Sequence, residues 1–257
     1  MKKFDRMTTT IVVAALVAFA LGCKYSSTRA TTNTSNDNNA GAPSSSSDTN
    51  NQDHGNRTAS RPKPDIAGKY NITGTNPDGD AYRGTLEVIT RGDVYQFRWN
   101  AGSQYDGIGI QNGNIIAAAY TTGSDGKGCG VVDFDIQSDG TLEGKWGYWG
   151  TNEAGTESAA RTSGSGLVGE YDGTGRNPDG KQYKVKLTVE PAGNLYHFVW
   201  SNNSDGVGIK RGNNVAVGVG GSRCGFVMYE ARSDGTLDGI WGGGGSDKTG
   251  TERATKQ

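Results

Sequence analysis

Gly74-Thr75-Asn76-Pro77-Asp78-Gly79 and Gly175-Arg176-Asn177-Pro178-Asp179-Gly180 spell the same turn at two places in the chain. Proline presets φ for the second place of such a turn, and glycine supplies the place that needs φ > 0. The match extends outward on both sides. Gly68-Lys69-Tyr70 returns as Gly169-Glu170-Tyr171, and Tyr95-Gln96-Phe97-Arg98-Trp99 returns as Tyr196-His197-Phe198-Val199-Trp200. Gly107-Ile108-Gly109-Ile110 matches Gly206-Val207-Gly208-Ile209, Cys129-Gly130 matches Cys224-Gly225, and Trp146 matches Trp241. Ser138-Asp139-Gly140-Thr141-Leu142 matches Ser233-Asp234-Gly235-Thr236-Leu237, and the copies close on Gly155-Thr156-Glu157 and Gly250-Thr251-Glu252. Conserved order and spacing over such a length mark one structural unit duplicated.

Each copy reads as eight short strands separated by glycine-containing turns. In the first copy the strands start near Gly68, Ala81, Val94, Tyr105, Asn114, Gly128, Thr141 and Thr156. The side chains alternate with period two. Leu86 and Val88 oppose Thr85 and Glu87, Phe97 and Trp99 oppose Gln96 and Arg98, and Leu142 and Trp146 oppose Glu143 and Lys145. The 42 glycines argue the same way, because glycine weakens a helix by about 1 kcal/mol per site. The expected fold is all-β: two tandem eight-stranded antiparallel meander barrels, residues 65–161 and 167–257, joined by a linker at 162–166. Closure removes exposed strand edges, and a barrel of this size is either filled by side chains or holds one small ligand. An open sandwich is the alternative.

Ahead of the repeats stand two segments of different character. Residues 1–22 carry a basic start and an apolar run from Ile11 to Leu21, the pattern of a secretory signal peptide and too short to span a membrane. Residues 23–64 are mostly Ser, Thr, Asn, Asp, Gly and Ala. Such a composition cannot offset the entropy of ordering a backbone and is expected to form a disordered tether.

Two resemblances follow from these residues. Cys23, directly after the apolar run, resembles the acylated cysteine of the bacterial lipobox, although Ala20 stands where that motif prefers leucine. Lys24 is not the aspartate associated with inner-membrane retention. The resemblance therefore implies a lipid-anchored outer-membrane protein, exposed at the surface and touching the membrane through its anchor only. The Gly-x-Tyr-x-x-x-Gly-x-Asn-Pro-Asp-Gly-x-x-Tyr string, the Tyr-x-Phe-x-Trp strand, the Asp-Gly-x-Leu-x-Gly-x-Trp hairpin and the Gly-Thr-Glu ending resemble small exported bacterial proteins labelled fibronectin-binding. That resemblance implies adhesion to an extracellular matrix protein and carries over no binding residue. In strand count and order the layout is similar to avidin and lipocalin-like barrels.

Residue chemistry points away from an enzyme. His54 falls in the tether, and the counterpart of His197 is Arg98, which cannot act as a base. Met228 stands where the first copy has Asp133, so no acid/base pair is shared. The Asp-Gly turns lack the acids an EF-hand requires at its first and twelfth places, and no Cys-x-x-Cys or histidine pair suggests zinc. No metal or cofactor is expected. With a net charge of -1, nucleic acid is not an expected partner either.

The candidate ligand-binding residues are aromatic and acidic. They are Tyr95, Trp99, Trp146, Tyr148, Trp149 and Glu157 in the first copy, and Tyr196, Trp200, Trp241 and Glu252 in the second. Most of these rings are expected in the cores. Tyr148 and Trp149 align with Gly243 and Gly244 and read as an exposed contact surface. Glu157 and Glu252 share one strand parity, and a hydrogen bond to Tyr70 or Tyr171 is their expected structural role. Cys129 and Cys224 occupy one position per copy and are expected as buried free thiols, the alternative being a disulfide across a pseudo-twofold contact. Three functions compete: duplicated binding of an extracellular or envelope protein or glycan, small-ligand binding inside a barrel, and a purely structural envelope role. A cavity ringed by Trp99, Trp146 and Glu157 would favour the second.

Overall fold

The computed structural model describes residues 63–122, 125–243 and 245–257. The signal segment, Cys23 and all but the end of the tether lie outside the described residues.

Sixteen strands follow in order. The first eight are β1 (Gly68–Thr75), β2 (Ala81–Arg91), β3 (Val94–Asn100), β4 (Gln104–Asn112), β5 (Ile115–Thr122), β6 (Gly130–Ile136), β7 (Leu142–Tyr148) and β8 (Gly155–Ser165). The rest are β9 (Val168–Arg176), β10 (Gln182–Ala192), β11 (Leu195–Trp200), β12 (Asp205–Arg211), β13 (Asn214–Val219), β14 (Gly225–Ala231), β15 (Leu237–Gly243) and β16 (Gly250–Lys256). They form two closed antiparallel barrels of eight strands each, the fold class read from the sequence.

The partition of the chain between the barrels differs from that reading. One barrel takes β1–β5 and β14–β16; the other takes the consecutive strands β6–β13. We call them the split barrel and the nested barrel. Residues 65–161 and 167–257 are therefore sequence repeats but not barrels, since each copy lends three strands to its neighbour's sheet. The expected linker at 162–166 is also reassigned. It lies in the β8–β9 hairpin, where only Gly166 and Leu167 separate the strands and Gly166 takes φ 62°. In the split barrel the matching place is held by the two ends of the described chain, with Tyr70 of β1 opposite Lys256 of β16.

The chain passes between barrels at the β5–β6 and β13–β14 connections, and these carry the cysteines. Cys129 and Cys224 form a disulfide with Cα atoms 5.7 Å apart. Free thiols are thus replaced by the inter-copy bond, because strand exchange lays the two crossovers side by side.

Each barrel has its own core. Tyr70, Leu86, Phe97 and Trp99 belong to that of the split barrel, and Tyr171, Leu187, Phe198 and Trp200 to that of the nested one. A third apolar cluster joins the outer faces of the two barrels. Ile108, Ile110, Ala117, Ala119, Phe226 and Met228 of the split barrel meet Val131, Leu195, Ile209 and Ala216 of the nested one. β5 and β13 are thereby covered on both faces, which is why Ile115–Tyr120 and Val215–Val219 do not alternate in polarity.

One end of each barrel is plugged. Ile66 and Leu167, just ahead of β1 and β9, are buried. The Tyr70 hydroxyl donates to the Ile66 carbonyl at 2.7 Å, and the Tyr171 hydroxyl to the Leu167 carbonyl at 2.8 Å. These two tyrosines therefore seal the plugged ends and do not bond the glutamates, as the sequence reading had expected.

Candidate functional site

At the other end of the split barrel, β16 places Glu252 opposite Gly74 of β1 and Gly239 of β15. Both glycines act by close approach. A Cβ on Gly74 would lie 2.4 Å from Tyr82 Cζ, and one on Gly239 would lie 2.5 Å from Tyr229 Cδ1. Without side chains at these places, each ring can lie flat across its neighbouring strand and bring its hydroxyl to the carboxylate. Tyr82 donates to Glu252 Oε2 at 2.9 Å, and Trp99 Nε1 donates to Oε1 at 3.1 Å. The Tyr229 hydroxyl makes a short bond to the same Oε1 and accepts from Trp99 Nε1 at 3.0 Å.

Glu252 is 6% exposed. Burial raises its carboxyl above the ordinary range, while the bonds from Tyr229, Tyr82 and Trp99 oppose that rise. The acid in turn holds the tyrosines neutral. Burial first, and Glu252 second, push both the Tyr82 and Tyr229 hydroxyls well above the usual phenol range.

The nested barrel repeats the arrangement with one donor fewer. Glu157 faces Gly175 and Gly144, and receives Tyr183 OH at 2.9 Å and Trp200 Nε1 at 2.9 Å. Phe134 occupies the place of Tyr229 and brings no hydroxyl. Its ring lies across Gly144, where a Cβ would be 2.4 Å from Phe134 Cδ1.

Above each glutamate the barrel interior opens into a cavity, about 230 Å³ in the split barrel and about 290 Å³ in the nested one. A void of roughly 150 Å³ is enough for a benzene-sized molecule. In the split barrel the walls are Tyr82, Trp99, Tyr105, Tyr120 and Trp241, with Glu252 as the floor. In the nested barrel Ser204 and Val219 stand where Tyr105 and Tyr120 do, and Lys184 joins the lining. The indole rings of Trp241 and Trp146 line these cavities, while their N–H groups are buried.

The structure sorts the candidate residues into three groups. Trp99, Trp241 and Glu252 come together in the split barrel, and Trp146, Tyr148, Trp200 and Glu157 in the nested barrel. The anticipated ring of Trp99, Trp146 and Glu157 does not exist, because strand exchange places Trp99 in one barrel and the other two in its neighbour. Tyr95 and Tyr196 pack against the barrel cores outside both cavities, and Tyr95 OH donates to Gln111 Oε1 at 3.0 Å. Tyr148 is 37% exposed but stacks edge-on against Trp146 at the cavity rim. Trp149 packs against the cluster between the barrels, its ring over Gly126. Of the pair, Tyr148 is exposed as expected, whereas Trp149 is partly buried.

Sequence reasoning missed Tyr82, Tyr183, Tyr229, Tyr105 and Tyr120. The first two carried a usable signal, since both end the repeated Asn-Pro-Asp-Gly-x-x-Tyr string. Searches of protein-family models, of curated proteins and of solved structures find no match to this chain.

Proposed function

We propose that the protein is a lipid-anchored envelope protein that binds small molecules, one in the open mouth of each barrel. The observation that carries this is the pair of aromatic cavities, each built over a buried glutamate. Concave, largely apolar sites with a few fixed polar groups are the usual form of small-molecule sites.

Adhesion through an apolar surface has weaker support. Among the described residues, Tyr148 and Val199 are the large hydrophobic side chains that stand exposed, too few for a contiguous protein-binding patch. The lipid anchor on Cys23, the tether and the outer-membrane location rest on the sequence reading of residues 1–64.

A thermal-shift screen of the purified chain against small amines, alcohols, sugars and acids tests the proposal, with immobilised fibronectin and glycans as the competing partners. At least one small molecule should raise the melting temperature. Val227→Trp and Val132→Trp, which fill the split and nested cavities, should each remove part of that rise. Retention of fibronectin or a glycan by the doubly filled variant, with no small molecule bound by the parent chain, would overturn it.

A further inference from the structure

We infer that the split barrel's cavity takes a small methylated ammonium compound, with choline as the test example. The inference rests on the small-ligand reading above and narrows it to one chemical class at one of the two sites.

The first argument is the shape of the walls. Neighbouring rings meet at steep angles. Tyr105 and Tyr120 are 5.6 Å apart at 89°, Trp99 and Tyr120 are 5.8 Å apart at 59°, and Tyr82 and Trp241 are 6.3 Å apart at 72°. Rings set this way border one rounded, aromatic-walled space and not a flat slot. A flat aromatic ligand would call for parallel walls; a rounded cation is suited by a box, because each ring face is the negative part of its quadrupole.

Charge is the second argument. The floor is the Glu252 carboxylate, and no Lys or Arg lines this cavity. The three groups that reach Glu252 are neutral donors. They stabilise the ionised carboxylate without cancelling its charge, so a bound cation would supply the missing counter-charge. A methylated ammonium also leaves water at lower cost than a primary ammonium, whose N–H donors would go unmet in this mostly apolar box.

The nested cavity shares the buried glutamate and steeply set rings at Trp146, Tyr148 and Tyr183, but differs at three places. Ser204 and Val219 open the box, and Lys184 adds a positive charge. It serves as the internal control.

The test is isothermal titration of the purified chain with choline and with its neutral isostere, in which a carbon atom replaces the nitrogen. Choline should bind at one site per chain, at least about tenfold more tightly than the isostere, as a desolvated cation–π contact of about 2 kcal/mol requires. Glu252→Gln should reduce that preference, leaving the part the rings supply. The double change Tyr105→Ser with Tyr120→Val installs the side chains already tolerated in the nested barrel, and should weaken choline by about tenfold or more without loss of the fold. Equal binding of choline and the isostere would overturn the cation assignment while leaving the small-ligand reading standing. Choline binding that survives the double change would place the site elsewhere and also overturn it. If neither compound binds and the wider screen is empty, the small-ligand reading itself fails.

Discussion

The two barrels are built from the same repeat, yet their glutamates are held differently. Glu252 receives Tyr82, Trp99 and Tyr229, whereas Glu157 receives Tyr183 and Trp200 and faces Phe134 where the third donor would be. The scaffold needs the carboxylate and two donors; the third donor and the two extra wall tyrosines belong to the split barrel alone. The common part reads as architecture. The part that diverged reads as specificity.

That comparison can be broken most severely by separating the copies. Residues 167–257 alone hold β9–β16, and in the full chain their last three strands close the split barrel. A single copy is expected to form a strand-exchanged dimer that rebuilds the pair of barrels, measured by light scattering after size exclusion. A stable, cooperatively melting monomer would show that the exchange is not built into the repeat.

Next in size is the clasp between crossovers. The Cys129–Cys224 bond closes 95 residues, and replacing both cysteines by serine should cost about 2–4 kcal/mol in denaturant unfolding. The loss should fall on both barrels together, since each crossover belongs to both.

A smaller change probes the third donor. Tyr229→Phe copies the nested arrangement into the split barrel and should cost about 1.5–3 kcal/mol, the range for a hydrogen bond to a charged group. The reverse change, Phe134→Tyr, should recover about 1 kcal/mol or less, because the cavity around Glu157 was not shaped for a hydroxyl. Equal and opposite effects would argue against any difference between the sites.

A further test, dependent on pH, concerns the face between the barrels. Asp133 is 3% exposed where the other copy has Met228, and its Oδ1 has no partner. Burial first, and then the neighbouring Asp135 carboxylate, push Asp133 up to about 7. A carboxyl raised in the folded state favours folding below its ordinary pKa, and that contribution is lost as pH rises through about 7. Asp133→Asn should therefore stabilise the chain by about 1–2 kcal/mol near pH 8 and change little near pH 5, flattening the pH profile of thermal unfolding.

Much of this was legible in the chain. The Asn-Pro-Asp-Gly turns and the Tyr-x-Phe-x-Trp strands placed every strand start of the first copy within about two residues and put Trp99, Trp146 and their counterparts inside. Strand exchange was not legible, and the reason is degeneracy. β14 is the repeat counterpart of β6, so Gly225-Phe226-Val227 offers β5 the same kind of edge that Gly130-Val131-Val132 would. No local pattern chooses between them. Two hints went unread: the unbroken apolar runs of β5 and β13, which call for cover on both faces, and a cysteine on each crossover. The tyrosine donors were hidden for another cause. Tyr82 reaches Glu252 only because β1 and β16 are neighbours, a pairing between the first and last strands that spacing along the chain does not encode.

That last pairing bears on how the protein comes into being. Ribosomes deliver a chain from its amino end, and the eight strands of the nested barrel are complete once Val219 has emerged. The split barrel has by then released five strands and must wait for the remaining three, its final contacts joining Asn71 to Gln257 across 186 positions. During that interval β1 and β5 present bare edges, the hazard that invites mispairing with other chains. The nested barrel is thus complete in the chain before the split one, and truncation of the last strand strips β1 of one of its two neighbours.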